Sequence, residues 1–390
     1  MRKEEINEKE GFKNIKLLGG SSFFNDIASE MIAAILPFYI LSIGGTGLAI
    51  GALSGLREGL ASLFKLLGGW LSDKIKKRRA FVFAGYSIST ISRFFIFLAS
   101  TWQAIIGFVS FERIGKLRDA PRDAMIADYT KRRGAGFGFH QMMDTSGAVL
   151  GIVIVIILLF KFNLVFKSII LIAALISIIS LIPLFFVKEN KEIKKPGLIG
   201  KKRNISSNLK YLIFVCSVFT LGNFGLYLFL IIIAKERFNS MIISLILYTI
   251  FSAVAAIFVN FFGKLSDKTG RKKVILLGYA LFFILSASFL LFYEKNLFIM
   301  LSFVIYGLVS GATASNHRAF VSDLSEDEKG TSLGLFYFFT GLINIPAGIF
   351  AGFLWDINPR IMFWYISVIS LVSIIMLLFV KEQRLKKGIT

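Results

Sequence analysis

Fifteen charged side chains stand inside stretches that are otherwise apolar, and their spacing, with that of His140, sorts them into small constellations. Asp26 and Glu30 are one helical turn apart and share a face. Arg57 and Glu58 are adjacent, and Lys65 follows seven residues after Glu58 on the same face. Glu112, Lys116, Asp119 and Asp123 make one stripe at spacings of 4, 3 and 4, with Arg113, Arg118 and Arg122 beside it and Pro121 expected to kink the helix. His140 and Asp144 are again one turn apart, while Arg93 and Arg318 stand singly. Carboxylates and an imidazole at this spacing can carry protons or meet a charged solute. They do not make a hydrolase, because no nucleophile sits beside a base and an orienting group. There is also no phosphate-binding glycine loop and no metal-ligand cluster, so neither a cofactor nor a metal is expected, and the chain reads as a non-enzyme.

The elements that position these groups are long apolar helices. The chain has 390 residues, of which 55% are hydrophobic, and its mean hydropathy is +0.72. A spanning helix needs about 20 mostly apolar residues. Twelve such stretches are predicted, at 16–42, 47–73, 80–99, 103–128, 134–160, 165–187, 209–234, 240–267, 273–293, 297–322, 330–355 and 360–380. The fold class is therefore an all-α membrane protein. Insertion scales put a lipid-facing charge at roughly 3 kcal/mol, so fifteen would cost on the order of 45 kcal/mol. The charged groups must face a polar interior and pair with one another. Fourteen of the fifteen lie in the first half, so the halves share architecture but not chemistry.

The net charge is +21. It lies in loops, which suits membrane topology better than nucleic acid. One side of the span pattern carries 31 lysines and arginines and the other 6, so the first side and both termini are expected to be cytoplasmic, in the inner or plasma membrane. The basic amino terminus is not followed by a cleavable apolar core and is not a signal peptide. The single cysteine, Cys216, excludes an internal disulfide.

Between the second and third stretches stands Gly69-Trp-Leu-Ser-Asp73-Lys-Ile-Lys-Lys-Arg-Arg79, and 194 residues later Gly263-Lys-Leu-Ser-Asp267-Lys-Thr-Gly-Arg-Lys-Lys273 repeats it. A self-similar segment at half the chain length marks an internal duplication. The repeat extends from Arg122–Asp128 to Arg318–Asp323 and from Gly134 and Gly138 to Gly330 and Gly334. It predicts a first six-helix bundle over 1–187, a polar cytoplasmic linker over 188–210, and a second bundle over 211–390. The loop pattern resembles the signature of the major facilitator superfamily, with Lys76 where the first copy lacks the pattern's glycine. Gly352-Phe-Leu-Trp-Asp356 is similar to the end of helix eleven in that superfamily.

The resemblance implies a two-bundle secondary transporter of about this size that works by alternating access. It implies that Asp73 with Arg122, and Asp267 with Arg318, latch the cytoplasmic side. Asn25-Asp-Ile-Ala-Ser-Glu30-Met-Ile, with Pro37 after it, resembles the first helix of proton-coupled drug-efflux members, and Arg113 resembles the proton-linked arginine of helix four. Gly147-x-x-x-Gly151 permits close packing and partly resembles the antiporter motif of helix five, with Ile152 where that motif has proline. On this reading Asp26, Glu30, Arg57, Glu58, Arg93, Glu112, Arg113, His140 and Asp144 handle protons or substrate. Asn25, Asn223, Tyr227, Tyr306, Tyr337 and Asn344 line the cavity. A structural ion pair of Asp26 or Glu30 with Arg57 or Arg113, and a gate pair of His140 with Asp144, are the alternatives. The expected partners are a small solute, protons and the lipid bilayer, and the protein is expected to be a monomer. The function expected is proton-coupled efflux of amphipathic solutes. Uptake of an organic anion, and a non-transporting lipid- or ligand-binding protein, are the alternatives.

Overall fold

The computed structural model describes residues 2–129, 133–188, 206–325 and 329–382, with side chains left undescribed at 2–9, 73, 133–135 and 329–331. All described regular structure is helical. In chain order the helices are α1 (Arg2–Ser42), α2 (Gly47–Ile75), α3 (Arg78–Leu98), α4 (Trp102–Ile114), α5 (Asp119–Tyr129), α6 (Arg133–Phe160), α7 (Phe166–Ile179) and α8 (Ile182–Phe186). They continue as α9 (Ser207–Gly222), α10 (Tyr227–Phe238), α11 (Met241–Thr269), α12 (Arg271–Phe292), α13 (Asn296–Asp323), α14 (Lys329–Ile357) and α15 (Pro359–Leu378). Among the described residues ten segments are long and apolar enough to cross a membrane. The other two expected stretches are α2, which carries Arg57, Glu58 and Lys65, and the interrupted α4–α5.

The interruption has a local cause. Proline has no N–H and its ring presses on the carbonyl four residues back. Pro121 therefore leaves the Leu117 carbonyl without its helical donor, and Gly115–Arg118 tightens into a 3-10 turn. The expected kink at Pro121 is thus a break just before it, and α5 starts afresh at Asp119. Gly68 of α2 packs directly on that Leu117 carbonyl, a contact that a side chain would block.

Two compact units emerge from the packing. The first comprises Met1–Gly45 and Leu60–Lys201, the second Thr46–Gly59 and Lys202–Thr390. Residues 46–59, which the repeat places in the first half, thus pack with the second unit. In the first unit α1 lies against α6, and Cβ atoms at Gly147 and Gly151 would each come within 2.5 Å of a carbonyl oxygen of α1, at Phe23 and Ile27. The sequence expectation for this glycine pair describes that contact. Ile15, Leu18, Val82, Tyr86, Met125 and Ile126 form the core at one end of the unit.

In the second unit the start of α2 lies along α14 through a glycine ladder. Gly47, Gly51, Gly55 and Gly59 recur every fourth residue and meet Gly352, Gly348, Asn344 and Gly341. A Cβ on Gly55 would come within 2.5 Å of the Asn344 carbonyl oxygen. Asp356, at the end of α14, caps the start of α2, accepting from the Gly47 and Leu48 amides at 2.6 and 2.8 Å. A carboxylate there meets the unsatisfied amides and the positive end of the helix dipole.

The repeated loop differs from expectation in its pairing. Arg78, first in α3, bonds Asp128 near the end of α5 at 2.6 Å. Arg271, first in α12, bonds Asp323 at the end of α13 at 3.1 Å and Asp267 at 2.5 Å. Arg318, the expected partner of Asp267, is exposed and donates to the Ala314 carbonyl instead. It sits one turn too far back along α13 to replace Arg271, which lies at i+4 from Asp267. Arg122 pairs with Asp119 and Asp123, and its expected partner Asp73 has a side chain outside the described residues. At the glycine position of the loop Gly270 has φ +102°, and Lys76 takes φ +59° in the first copy. A side chain there costs on the order of 1–2 kcal/mol.

Two outcomes follow from this packing. Lys76→Gly is expected to raise thermal stability in detergent by an amount equivalent to about 1 kcal/mol, by relieving the left-handed backbone. Gly348→Val is expected to lower it by roughly 1–3 kcal/mol, because α2 and α14 cannot separate by a methyl's width without losing the ladder.

Candidate functional site

The first unit carries a continuous run of buried charge. α3 supplies Arg93, which is only 1% exposed. Its Nη2 donates to Asn25 Oδ1 at 3.0 Å and to the Asn25 carbonyl at 3.3 Å, and approaches Glu112 Oε1 at 3.5 Å. Glu112 is held from its other side by Arg113, through Oε2 and Nη2. One carboxylate therefore sits between two guanidiniums, with an amide of α1 closing the group. Asn25 also donates to Asp26 Oδ1 at 3.0 Å.

The 3-10 turn carries the next part. Arg118 is buried and its guanidinium lies 4.3 Å from the centre of the Tyr86 ring. It donates to Ser89 Oγ at 2.8 Å and to the Gly115 carbonyl at 3.0 Å. A regular helix would carry this side chain elsewhere; the tightened turn brings it back onto the Gly115 carbonyl three residues earlier. Asp119 then lies among Lys116, Arg118 and Arg122 at 3.6, 3.8 and 3.8 Å. Arg122 bonds Asp123 at 3.0 Å and reaches Ser22 of α1 at 3.4 Å. Arg122 also lies within electrostatic reach of Asp144 on α6, and Asp144 Oδ2 lies 3.3 Å from His140 Nδ1. The run thus passes from α4 through α5 to α1 and α6.

The pairing meets the demand that charges in an apolar slab be compensated. Asp26 differs from the rest. Glu112, Asp119 and Asp123 each face a cation and Asp144 faces His140, whereas Asp26 has the Asn25 amide and no ion-pair partner among the described residues. Several buried polar atoms also lack a hydrogen bond among the described residues: Arg93 Nη1, Tyr86 Oη, His140 Nε2 and Asp144 Oδ1. Each such group costs about 1–3 kcal/mol if it stays dry, so this run is suited to water or a polar solute. Among the described residues no cluster could hold a metal ion.

Of the expected site residues, the structure joins Asn25, Asp26, Arg93, Glu112 and Arg113 in one group and His140 with Asp144 in a second, linked through Ser22 and Arg122. Glu30 lies one turn from Asp26 on α1. Arg57 and Glu58 fall in the second unit with Asn223, Tyr227, Tyr306, Tyr337 and Asn344. There Tyr306 donates to Asn223 Oδ1 at 2.7 Å. Sequence reasoning missed Ser22, Tyr86 and Ser89 as partners, since serines in an apolar helix read as ordinary small residues and a tyrosine ring reads as packing. It also missed Arg78 and Arg271, although Asp128 and Asp323 stand 195 residues apart and carry the repeat. In the second unit it missed His317, buried and 3.1 Å from the Tyr279 hydroxyl.

The sequence pattern of the Major Facilitator Superfamily matches residues 18–292 and 211–390. An uncharacterised MFS-type transporter of Methanocaldococcus jannaschii is 41% identical over 395 residues, covering 97% of this chain and 98% of that one. An uncharacterised protein of Mycobacterium tuberculosis is 28% identical over 140 residues, 35% of this chain and 34% of its own. Among solved structures, a mutant of the nucleoside transporter NupG has a TM-score of 0.79 at 13% identity, covering 94% of this chain and 99% of that chain. The peptide transporter POT in complex with sulfate has a TM-score of 0.77 at 15% identity, covering 94% and 93%. At these identities the structures speak for the fold alone. The helical architecture, the duplicated loop, the superfamily pattern over most of the chain and the full-length relative place the protein in the Major Facilitator Superfamily of membrane transporters.

Proposed function

We propose that the protein is a proton-coupled exporter of small amphipathic solutes, working by alternating access between two six-helix bundles over 1–187 and 211–390. All twelve helical segments cross the membrane in this reading, both termini are cytoplasmic, and the protein acts as a monomer in the cell membrane. The observation that carries the mechanism is that Asp26 makes no close ion pair among the described residues. Lys116, Arg118 and Arg122 lie within electrostatic reach of it, but its hydrogen bond is to the Asn25 amide. A carboxyl so placed is compatible with an apolar slab when protonated and calls for compensation when ionised. Asp26 therefore takes up a proton when cargo is absent and gives it up when cargo arrives, with Glu30 one turn away sharing the duty. Glu112, clamped by Arg93 and Arg113, stays ionised and holds the Asn25 amide in place. His140 and Asp144 relay the proton towards Asp26 through the Ser22 end of the run. The loop clusters at Arg78–Asp128 and Arg271–Asp267–Asp323 hold neighbouring helices together at the latch end of each unit.

A second reading has its own observation. Arg93 Nη1 is buried with no hydrogen-bond partner among the described residues, and an organic anion could supply one. This is uptake of an anion, with Arg93 as its anchor.

Reconstituted protein separates the two. With ethidium as probe, an imposed pH gradient is expected to accelerate release from proteoliposomes at least about ten-fold; Asp26→Asn is expected to weaken the acceleration, and Asp26→Asn with Glu30→Gln to abolish it. Gradient-driven ethidium release that survives Asp26→Asn combined with Glu30→Gln contradicts the mechanism. Stability distinguishes the carboxylates further. Glu112→Gln leaves two buried guanidiniums without their anion and is expected to cost roughly 3–5 kcal/mol in detergent unfolding. Asp26→Asn, which breaks no ion pair among the described residues, is expected to cost less than about 1 kcal/mol.

A further inference from the structure

The gap between α9 and α10 gathers one acid and a set of aromatic rings within the second unit. α9 ends at Gly222, α10 begins at Tyr227, and Gly225 between them has φ +93°. Gly225 packs on the Ser54 side chain, and Ser54 Oγ donates to the Phe224 carbonyl. Glu58 is the next residue on that face of α2, one turn beyond Ser54. It lies within electrostatic reach of the Tyr306 hydroxyl, which donates to Asn223 Oδ1. The Tyr306 ring stacks on Phe251 at 5.1 Å and 15°. Phe251 continues to Tyr227 at 6.0 Å and 9°, and to Tyr248 at 6.0 Å and 21°. Four rings from α10, α11 and α13 thus lie nearly parallel.

Glu58 itself is exposed, and among the described residues it has no hydrogen bond or ion pair. It stands eleven residues into α2, so about 16 Å from the helix start, near the middle of a hydrocarbon core of about 30 Å. Arg57 next to it is buried, on another face of α2. A carboxylate at that depth, within electrostatic reach of Tyr306 and the rings stacked with it, selects for positive charge and for apolar bulk together. An anion would be repelled there, and a neutral solute would leave the carboxylate uncompensated. Interrupted helices also offer free backbone groups at the middle of transporter folds.

We propose that Glu58, Asn223, Tyr227 and Tyr306 form a binding site for organic monocations with an aromatic or apolar body. The proposal rests on the transport reading above for its cargo, but not on proton coupling. The test is equilibrium binding of tetraphenylphosphonium to the purified full-length protein in detergent at one pH. Saturable binding is expected, weakened at least about ten-fold in Glu58→Gln and retained in Glu58→Asp, which keeps the charge. Tyr306→Leu, which removes the ring, is expected to weaken it several-fold, and tetraphenylborate, of the same shape and opposite charge, to bind at least about ten-fold more weakly than the phosphonium. Thermal unfolding of each variant establishes that the protein under test is folded. Absence of saturable phosphonium binding by the unmodified protein, or equal affinity in Glu58→Gln, overturns the proposal. Because no gradient enters this measurement, failure of proton coupling would show as gradient-independent flux with cation binding intact.

Discussion

A charge inside a hydrocarbon slab has to be compensated, and most of what is distinctive in this chain follows from that demand. The first unit buries Arg93, Glu112, Arg113, Arg118 and Asp119 within one run of helices, with Arg122 half-buried beside them. Paired, they are tolerated; singly, each would oppose insertion by several kcal/mol. The backbone is shaped to allow the pairing. Pro121 breaks the fourth span, the 3-10 turn before it turns Arg118 onto Tyr86 and Ser89, and Gly68 lets α2 close over the freed carbonyl. What remains uncompensated is then informative. Asp26 in the first unit and Glu58 in the second lack an ion-pair partner among the described residues, and these are the positions at which a proton or a cation would complete the charge balance.

Glycine plays the corresponding part in the apolar contacts. Lipid offers little hydrophobic drive between helices, so association depends on close backbone approach. Gly147 and Gly151 bring α6 onto α1, and the ladder from Gly47 to Gly59 brings α2 onto α14. The second contact joins segments some three hundred residues apart in sequence and ends in a carboxylate cap from Asp356. Such a contact is tight but narrow. It consists of close backbone approach, the Trp355 and Ile345 side chains laid against Gly47 and Gly59, and two charge-assisted hydrogen bonds.

Much of the architecture could be read from the sequence, because hydropathy and duplication are strong signals. The stretches at 47–73 and 273–293 became helices Gly47–Ile75 and Arg271–Phe292, differing by a turn or less. The site was less legible. The constellation of Glu112 and Arg113 was evident from helical spacing, yet the partners that hold it come from α1 and α3, which no local pattern reports. The repeat offset pointed to Arg318 for Asp267, but Arg271 lies one turn from that acid on the neighbouring helix start and takes the bond. A four-residue spacing within a helix counts faces correctly only while the helix is regular, and Pro121 removes that regularity in the fourth span. The grouping of residues 46–59 with the second unit was hidden for another reason: a glycine ladder reads as poor helix sequence until its partner is known.

The central claim is that cargo and protons exchange through the buried acids of the first unit. It is tested most directly by recording the internal pH of proteoliposomes with a trapped dye while an ethidium gradient is imposed and no pH gradient is present. The account predicts proton movement opposite to ethidium, abolished by Asp26→Asn together with Glu30→Gln. Ethidium crossing through the unmodified protein while the internal pH stays constant would contradict it.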